Sequence, residues 1–300
     1  MVNANVLAIV KHLEKVLTAG DFKQRTETIF KDINGLPINY EGFTSVDAPK
    51  EWQVNGRKAI RMALLIEGDH YEKSPRKVFK AEDFRQITLP EGMQYSRGIK
   101  PRVFSVGLGA SFPNIIAKEG LLKSEVKVGP DLTATVSEVT AAALILRKEF
   151  KKQWLAKRQE GKGTLDFEDE MYLGQGICKL LANLAYPGST PEEAIKIRQR
   201  SMDCTQALVD IYTSEGYDVH VTRIDEVLVS KSDVWFVHEV EAVLKETTYN
   251  FSGYSSWEEV MVRDSCVTPE GTCMFMAGRR YITGIEGRIE GNFRKDFVNA

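Results

Sequence analysis

A single uninterrupted helical pattern, TATVSEVTAAALILRKEFKKQWLAKRQ from Thr133 to Gln159, does more than any other stretch to limit what this chain can fold into. At 1.5 Å per residue it would run for about 40 Å, the width of a small domain, so neighbouring elements have to pack along it. The Gly-Lys-Gly-Thr that begins at Gly161 breaks it. Its cations gather at the C-terminal end, where the helix dipole favours them whatever else they do. Between Arg147 and Lys162 stand seven basic residues and two acidic ones, whereas Asp203 to Asp264 holds thirteen acidic and four basic. The net charge of −2 hides this polarity. A chain charged in this way can present a basic groove with an acidic back, which orients a polyanion. The plainer alternative is a set of solvated helix faces.

With 300 residues, 43% of them hydrophobic and 27% charged, the chain can bury one large or two medium cores. No run approaches the roughly 20 apolar residues of a membrane span. The start, MVNANVLAIVKHLEK, lacks the basic segment, long apolar segment and small-residue cleavage site of a secretory leader, so a cytosolic compartment and no membrane partner are expected. Cys178, Cys204, Cys266 and Cys273 fall at no paired metal spacing, and disulfides are not expected.

In chain order, residues 3 to 19 read as an amphipathic helix with Val6, Ile9, Val10, Leu13 and Leu17 on one side, closed by Gly20. That stripe can pack on its own domain or on a neighbouring copy as a terminal arm. Phe22 to Ile33 reads as a second helix, ended by Asn34-Gly35. Tyr40, Phe43 and Trp52 follow among Gly and Pro, on loops. Pro101 is placed to start a helix through RVFSVGLGASF, and Val128-Gly-Pro-Asp131 reads as a join between two lobes. Further helices are expected at about Phe167 to Ala185, Thr190 to Glu215 and Ser232 to Thr247. Strand is expected around Tyr217 to Val229, and a hairpin within Gly271 to Thr283.

The stretch from Gly56 to Arg102 is locally positive, with eleven Lys/Arg against six Asp/Glu. Read as a helix, GRKAIRMALLIEG turns Ile60, Leu64 and Ile66 inward and sets Arg57, Lys58 and Arg61 along one edge. Lys73, Arg76, Lys77 and Lys80 then alternate with Tyr71, Phe79 and Phe84. Cations that neutralise phosphates, interleaved with rings on which bases stack, suit a nucleic-acid strand. Arg97, Lys100 and Arg102 form a second cluster at the expected helix start after Pro101, where backbone N–H groups favour an anion.

Enzyme motifs are incomplete. His238-Glu239 opens a zinc-protease pattern, but Ala242 stands where the second His ligand belongs. Ser111, Ser201 and Ser265 lack nucleophile-elbow flanks, and no Walker loop is present. Asp69 with Glu72 is a weak candidate for a divalent ion. No catalytic residue, cofactor or metal is therefore assigned. A helical enzyme of other chemistry and a protein-interaction module remain as alternatives.

Four pieces in order resemble the nucleoproteins of bunyavirus-like segmented negative-strand RNA viruses, nearest the phlebovirus and tenuivirus group. They are the N-terminal helix, INYEGF from Ile38 to Phe43, EWQVNGRKAIRMALLIEG leading into SPRKVFK, and IKPRVFSVGLGASFPNII from Ile99 to Ile116. The chain is longer than the phlebovirus type, and its Gly-rich tail has no counterpart there. The resemblance implies a mainly α fold: two helical lobes with a basic cleft between them and an N-terminal helical arm. The corresponding segments are residues 1–20 for the arm, 21–125 and 126–250 for the lobes, and 251–300 for an extension.

By the same resemblance the protein is not an enzyme. It coats single-stranded genomic RNA regardless of sequence and forms a homo-oligomer by passing the arm, through Val6, Ile9, Val10, Leu13 and Leu17, to the next subunit. It would meet a viral polymerase and be found in the virion and the host cytoplasm. Carried over by position, Arg57, Lys58, Arg61, Lys73, Arg76 and Lys77 are phosphate ligands with Arg97, Lys100 and Arg102, while Tyr40 and Phe43 are base-contacting rings.

Overall fold

Asn3 starts the first helix, α1 (Ala4–Leu17), by accepting the Val6 backbone N–H on its side-chain oxygen at 2.8 Å. In the computed structural model, the described residues are 3–22, 24, 64–72, 98–100, 103–163, 169–222, 225–246, 260–264, 273–275, 281–283 and 289–290. Among them the chain is mainly α. The helices after α1 are α2 (Ser111–Glu119), α3 (Val136–Gln159), α4 (Glu170–Leu184), α5 (Pro191–Ser214) and α6 (Val237–Glu246). The chain divides into two units, residues 1–85 with 112–197 and residues 86–111 with 198–300.

The first unit is built along α3, as the length of that helix requires. Its start is set by a capping box: Glu138 N–H donates to the Thr135 hydroxyl at 3.2 Å and Thr135 N–H to Glu138 Oε2 at 2.8 Å. The helix therefore begins at Val136 and not at Thr133, and residues 132–135 belong to a strand. α1 and α4 pack on α3. Beside them lies a three-stranded antiparallel sheet of β1 (Ile66–Glu67), β4 (Glu125–Val128) and β5 (Leu132–Thr135), in the order β1-β4-β5. One continuous core joins Ile9, Leu13, Leu64, Val126, Phe150 and Leu181.

Two expectations change here. Val6, Ile9, Leu13 and Leu17 are buried in this core and Val10 packs against it, so the stripe is satisfied within its own unit and is no free arm for a neighbour. Apolar side chains buried at about 1.5–3 kcal/mol each hold the helix there. Second, Val128 to Asp131 is no join between lobes. It is the turn of the β4–β5 hairpin, where Gly129 takes φ +69 and donates its N–H to Leu65 O at 2.7 Å. The expected boundary at 125/126 thus falls inside a unit.

The second unit carries a four-stranded antiparallel sheet in the order β6-β7-β3-β8, made of β6 (Asp218–Thr222), β7 (Glu226–Ser230), β3 (Phe104–Leu108) and β8 (Val260–Asp264). The helix expected from Pro101 is this central β3. Phe104, Val106 and Leu108 are buried, and the glycines at 107 and 109 disfavour helix. Its partners face it in register, Phe104 opposite Val229 on one side and Asp264 on the other. The chain then turns through Ala110, at φ +47, into α2.

Two buried polar side chains in this unit are paired: the Tyr212 hydroxyl donates to Val240 O at 2.9 Å, and His220 Nε2 lies 2.7 Å from Ser230 Oγ. β2 (Gly98–Lys100), β9 (Cys273–Phe275), β10 (Tyr281–Thr283) and β11 (Ile289–Glu290) form a further antiparallel sheet. The expected tail hairpin is its β9–β10 pair.

Candidate nucleic-acid interface

The cation-rich end of α3 is anchored on one side and open on the other. On the inner side Phe150 and Trp154, one turn apart, are buried. The Phe150 ring lies against Gly174 of α4, and the Trp154 ring meets Tyr172 with centroids 5.3 Å apart. Asp169 caps α4, accepting the N–H groups of Met171 at 2.9 Å and Tyr172 at 3.2 Å, and it also sits 3.7 Å from Lys157 Nζ. One carboxylate therefore fixes the start of α4 and draws in one of the α3 cations.

The outer side carries Lys148, Lys151, Lys152 and Arg158, all exposed, with Lys162 just beyond the helix end. The two acids of this run are occupied elsewhere: Glu149 accepts from Gln153 Nε2 at 2.8 Å, and Glu160 pairs with Lys162 at 3.1 Å. Among the described residues no carboxylate pairs with Lys148, Lys151 or Lys152. The Arg158 guanidinium lies over the Trp154 ring, 5.3 Å from its centroid, within the range of a cation–π contact. Three lysines within about one turn, beside Arg158, can take consecutive phosphates of a flexible strand.

Most residues assigned from the sequence lie outside the described residues: Tyr40, Phe43, Arg57, Lys58, Arg61, Lys73, Arg76, Lys77, Arg97 and Arg102. Lys100 is in β2, opposite Cys273, so it belongs to a strand and not to a helix entrance. With residues 104–108 in strand, the helix N-terminus expected to hold an anion beside Arg102 is absent from that position. Sequence reasoning noted the charge bias of 147–162 but named none of its residues as ligands, because a basic helix end also satisfies the dipole. The capping box of Thr135 and Glu138 was a readable signal for where α3 begins.

Several other polar groups of the described residues are paired with one another. Ser111 Oγ and Ser201 Oγ are buried 2.6 Å from each other. At the β6–β7 hairpin, Leu108 N–H donates to Asp225 O at 2.8 Å and the Ser105 hydroxyl donates to Glu226 Oε1. Among the described residues no three His, Cys, Asp or Glu side chains are grouped to hold a metal, and no helix is long and apolar enough to cross a membrane.

No protein-family model and no curated protein matches the chain. Among solved structures it is similar to the family B DNA polymerase of the hyperthermophilic archaeon Pyrobaculum calidifontis, with 16% identity and a TM-score of 0.47. The match covers 83% of this chain and 34% of that one, so the chain spans about a third of the polymerase's length. A likeness of this strength assigns neither a family nor an activity.

Proposed function

We propose that this protein binds single-stranded nucleic acid without reading its sequence, with RNA the strand in the nucleoprotein reading. One observation carries the proposal: the outer face of α3 presents Lys148, Lys151 and Lys152 exposed and, among the described residues, without a carboxylate partner, next to Arg158, whose guanidinium lies 5.3 Å from the Trp154 ring centroid. A sequence-independent binder needs phosphate neutralisation and stacking, and does not need base-edge contacts. The clusters Arg57, Lys58, Arg61, Lys73, Arg76 and Lys77, and Arg97, Lys100 and Arg102, with the rings of Tyr40 and Phe43, extend the same chemistry along the chain. In the full reading these line a cleft between lobes, and the protein coats a viral genome. The buried α1 stripe is given no part in assembly.

The test is fluorescence anisotropy with two labelled single-stranded RNAs of unrelated sequence across a salt series. Wild-type protein should bind both about equally. Lys148→Ala, Lys151→Ala and Lys152→Ala together should weaken both equally and lower the salt slope by roughly 0.7 per lost contact. Unchanged affinity and slope in the folded triple variant would remove this site. Absence of binding by the wild type at low salt would remove the function.

A further inference from the structure

Trp235 and Phe236 stand side by side in the turn before α6 with 51% and 57% of their surfaces open. Single exposed apolar side chains are ordinary, but two adjacent large aromatics are not. The turn is held in this form: the backbone N–H groups of both residues donate to Glu239 Oε2, at 2.9 and 2.8 Å, and the Phe236 ring stacks on His238 at 5.5 Å and 17°. The surroundings are acidic. Glu215, Asp233 and Glu239 all lie close enough to Tyr217 for their charges to add to the effect of burial in raising its pKa. Lys231, from the same turn, is already engaged, donating to Glu215 O at 2.9 Å and lying 5.3 Å over the Tyr217 ring.

A surface of opposite character is present on α3. Leu155 is 42% exposed there, and Lys151, Lys152 and Arg158 lie three or four residues from it, on the same face. Each surface has an apolar centre and a charged rim, and the signs are complementary. We propose that the Trp235–Phe236 turn of one molecule docks on the Leu155 face of α3 in a second copy, aromatic rings over leucine and carboxylates against lysines. The contact joins two different surfaces, so it repeats from copy to copy until a ring closes or a chain grows. It does not depend on the nucleic-acid reading. A bound strand and a second copy would use the same lysines and exclude each other.

Analytical ultracentrifugation of nucleic-acid-free protein tests this. Wild-type protein should associate with rising concentration, and raising salt from about 0.05 to about 0.5 M should weaken association by on the order of tenfold. Trp235→Ser with Phe236→Ser, and separately Leu155→Ser, should sediment as monomers with unchanged unfolding transitions, since all three side chains are exposed. Lys151→Glu with Lys152→Glu should be monomeric alone, as should Glu215→Lys with Asp233→Lys, and mixing these two variants should restore association. A wild type that is monomeric at about 100 µM overturns the proposal, on the scale where weak contacts register. So does association that survives the folded variants, or a mixture of the charge variants that stays monomeric.

Discussion

Gly174 on α4 faces the ring of Phe150 on α3 so closely that a Cβ at residue 174 would stand 2.8 Å from Phe150 Cδ2. The approach brings α4 against the long helix and, with it, sets which side of α3 is left for solvent. Gly174→Val should therefore cost about 1–3 kcal/mol in a denaturant titration. Gly176, two residues on, has nothing within 4 Å of its Cβ position, and Gly176→Ala should stabilise by about 0.5–1 kcal/mol. Equal effects at both positions would refute this account of the packing.

Leu13 is fully buried between α1 and the rest of the first unit's core. Leu13→Ala should destabilise the protein by about 2–5 kcal/mol. Deleting residues 1–19 should accordingly unfold the first unit, as judged by loss of its cooperative transition. A soluble truncated protein with the wild-type transition would return α1 to the role of a detachable arm.

Glu138 joins the starts of two helices, accepting from Asn3 Nδ2 at 2.9 Å, Asn5 Nδ2 at 3.0 Å and Thr135 N–H at 2.8 Å. Burial pushes its pKa up, but the hydrogen bonds from the Thr135 backbone, Asn3, Asn5 and the Thr135 hydroxyl outweigh it, and the net shift is downward. A carboxyl with a lower pKa folded than unfolded stabilises the fold above the unfolded value, about 4.3 for Glu, and loses that contribution as pH falls through the folded value. The stability difference between wild type and Glu138→Gln should thus be constant near neutral pH and shrink on acidification below that range. Thermal melts of both proteins from pH 7 down to about pH 3 read it directly.

Cys178 is buried, and that burial pushes its thiol up to about 12, with Arg147 opposing the shift. Since the thiolate is the reactive form, Cys178 should resist alkylation at mildly alkaline pH in the folded protein and react once denaturant is added. Peptide mapping by mass spectrometry identifies the labelled residue. Rapid labelling of Cys178 in the native state would mean that α4 opens far more often than its packing allows.

Helices in this chain were legible wherever a local rule marked both ends. Thr190 and Glu193 form the reciprocal cap that their spacing implies, with Thr190 N–H donating to Glu193 Oε2 at 2.8 Å and Glu193 N–H to Thr190 Oγ1 at 3.3 Å. Tyr186-Pro187-Gly188 stops α4 where those residues disallow its continuation. The segment after Pro101 is a strand although Pro101 suits a helix start: Phe104, Val106 and Leu108 alternate with Ser105 and Gly107, the period of a strand and not of a helix. Likewise Gly129-Pro130 marks a turn but not what the turn connects, and only the pairing of Val126 with Ala134 makes it a hairpin within one unit.

The amino-acid sequence by itself determined the long α3 helix, its basic end, the amphipathic stripe of α1 and the acidic bias after Asp203, because each follows from residue type and spacing along the chain. Which partner each face meets was decided only in three dimensions. The α1 stripe has the same apolar pattern whether it docks on its own unit or on a neighbour, and the burial of Ile9 and Leu13 against α3 settles that for this fold. The outward aim of Lys148, Lys151 and Lys152 depends on Phe150 and Trp154 being drawn against α4, and the close approach at Gly174 that permits it is a contact between residues 24 positions apart. Periodicity specifies that a helix has two faces; the packing of other elements chooses which one is left to bind.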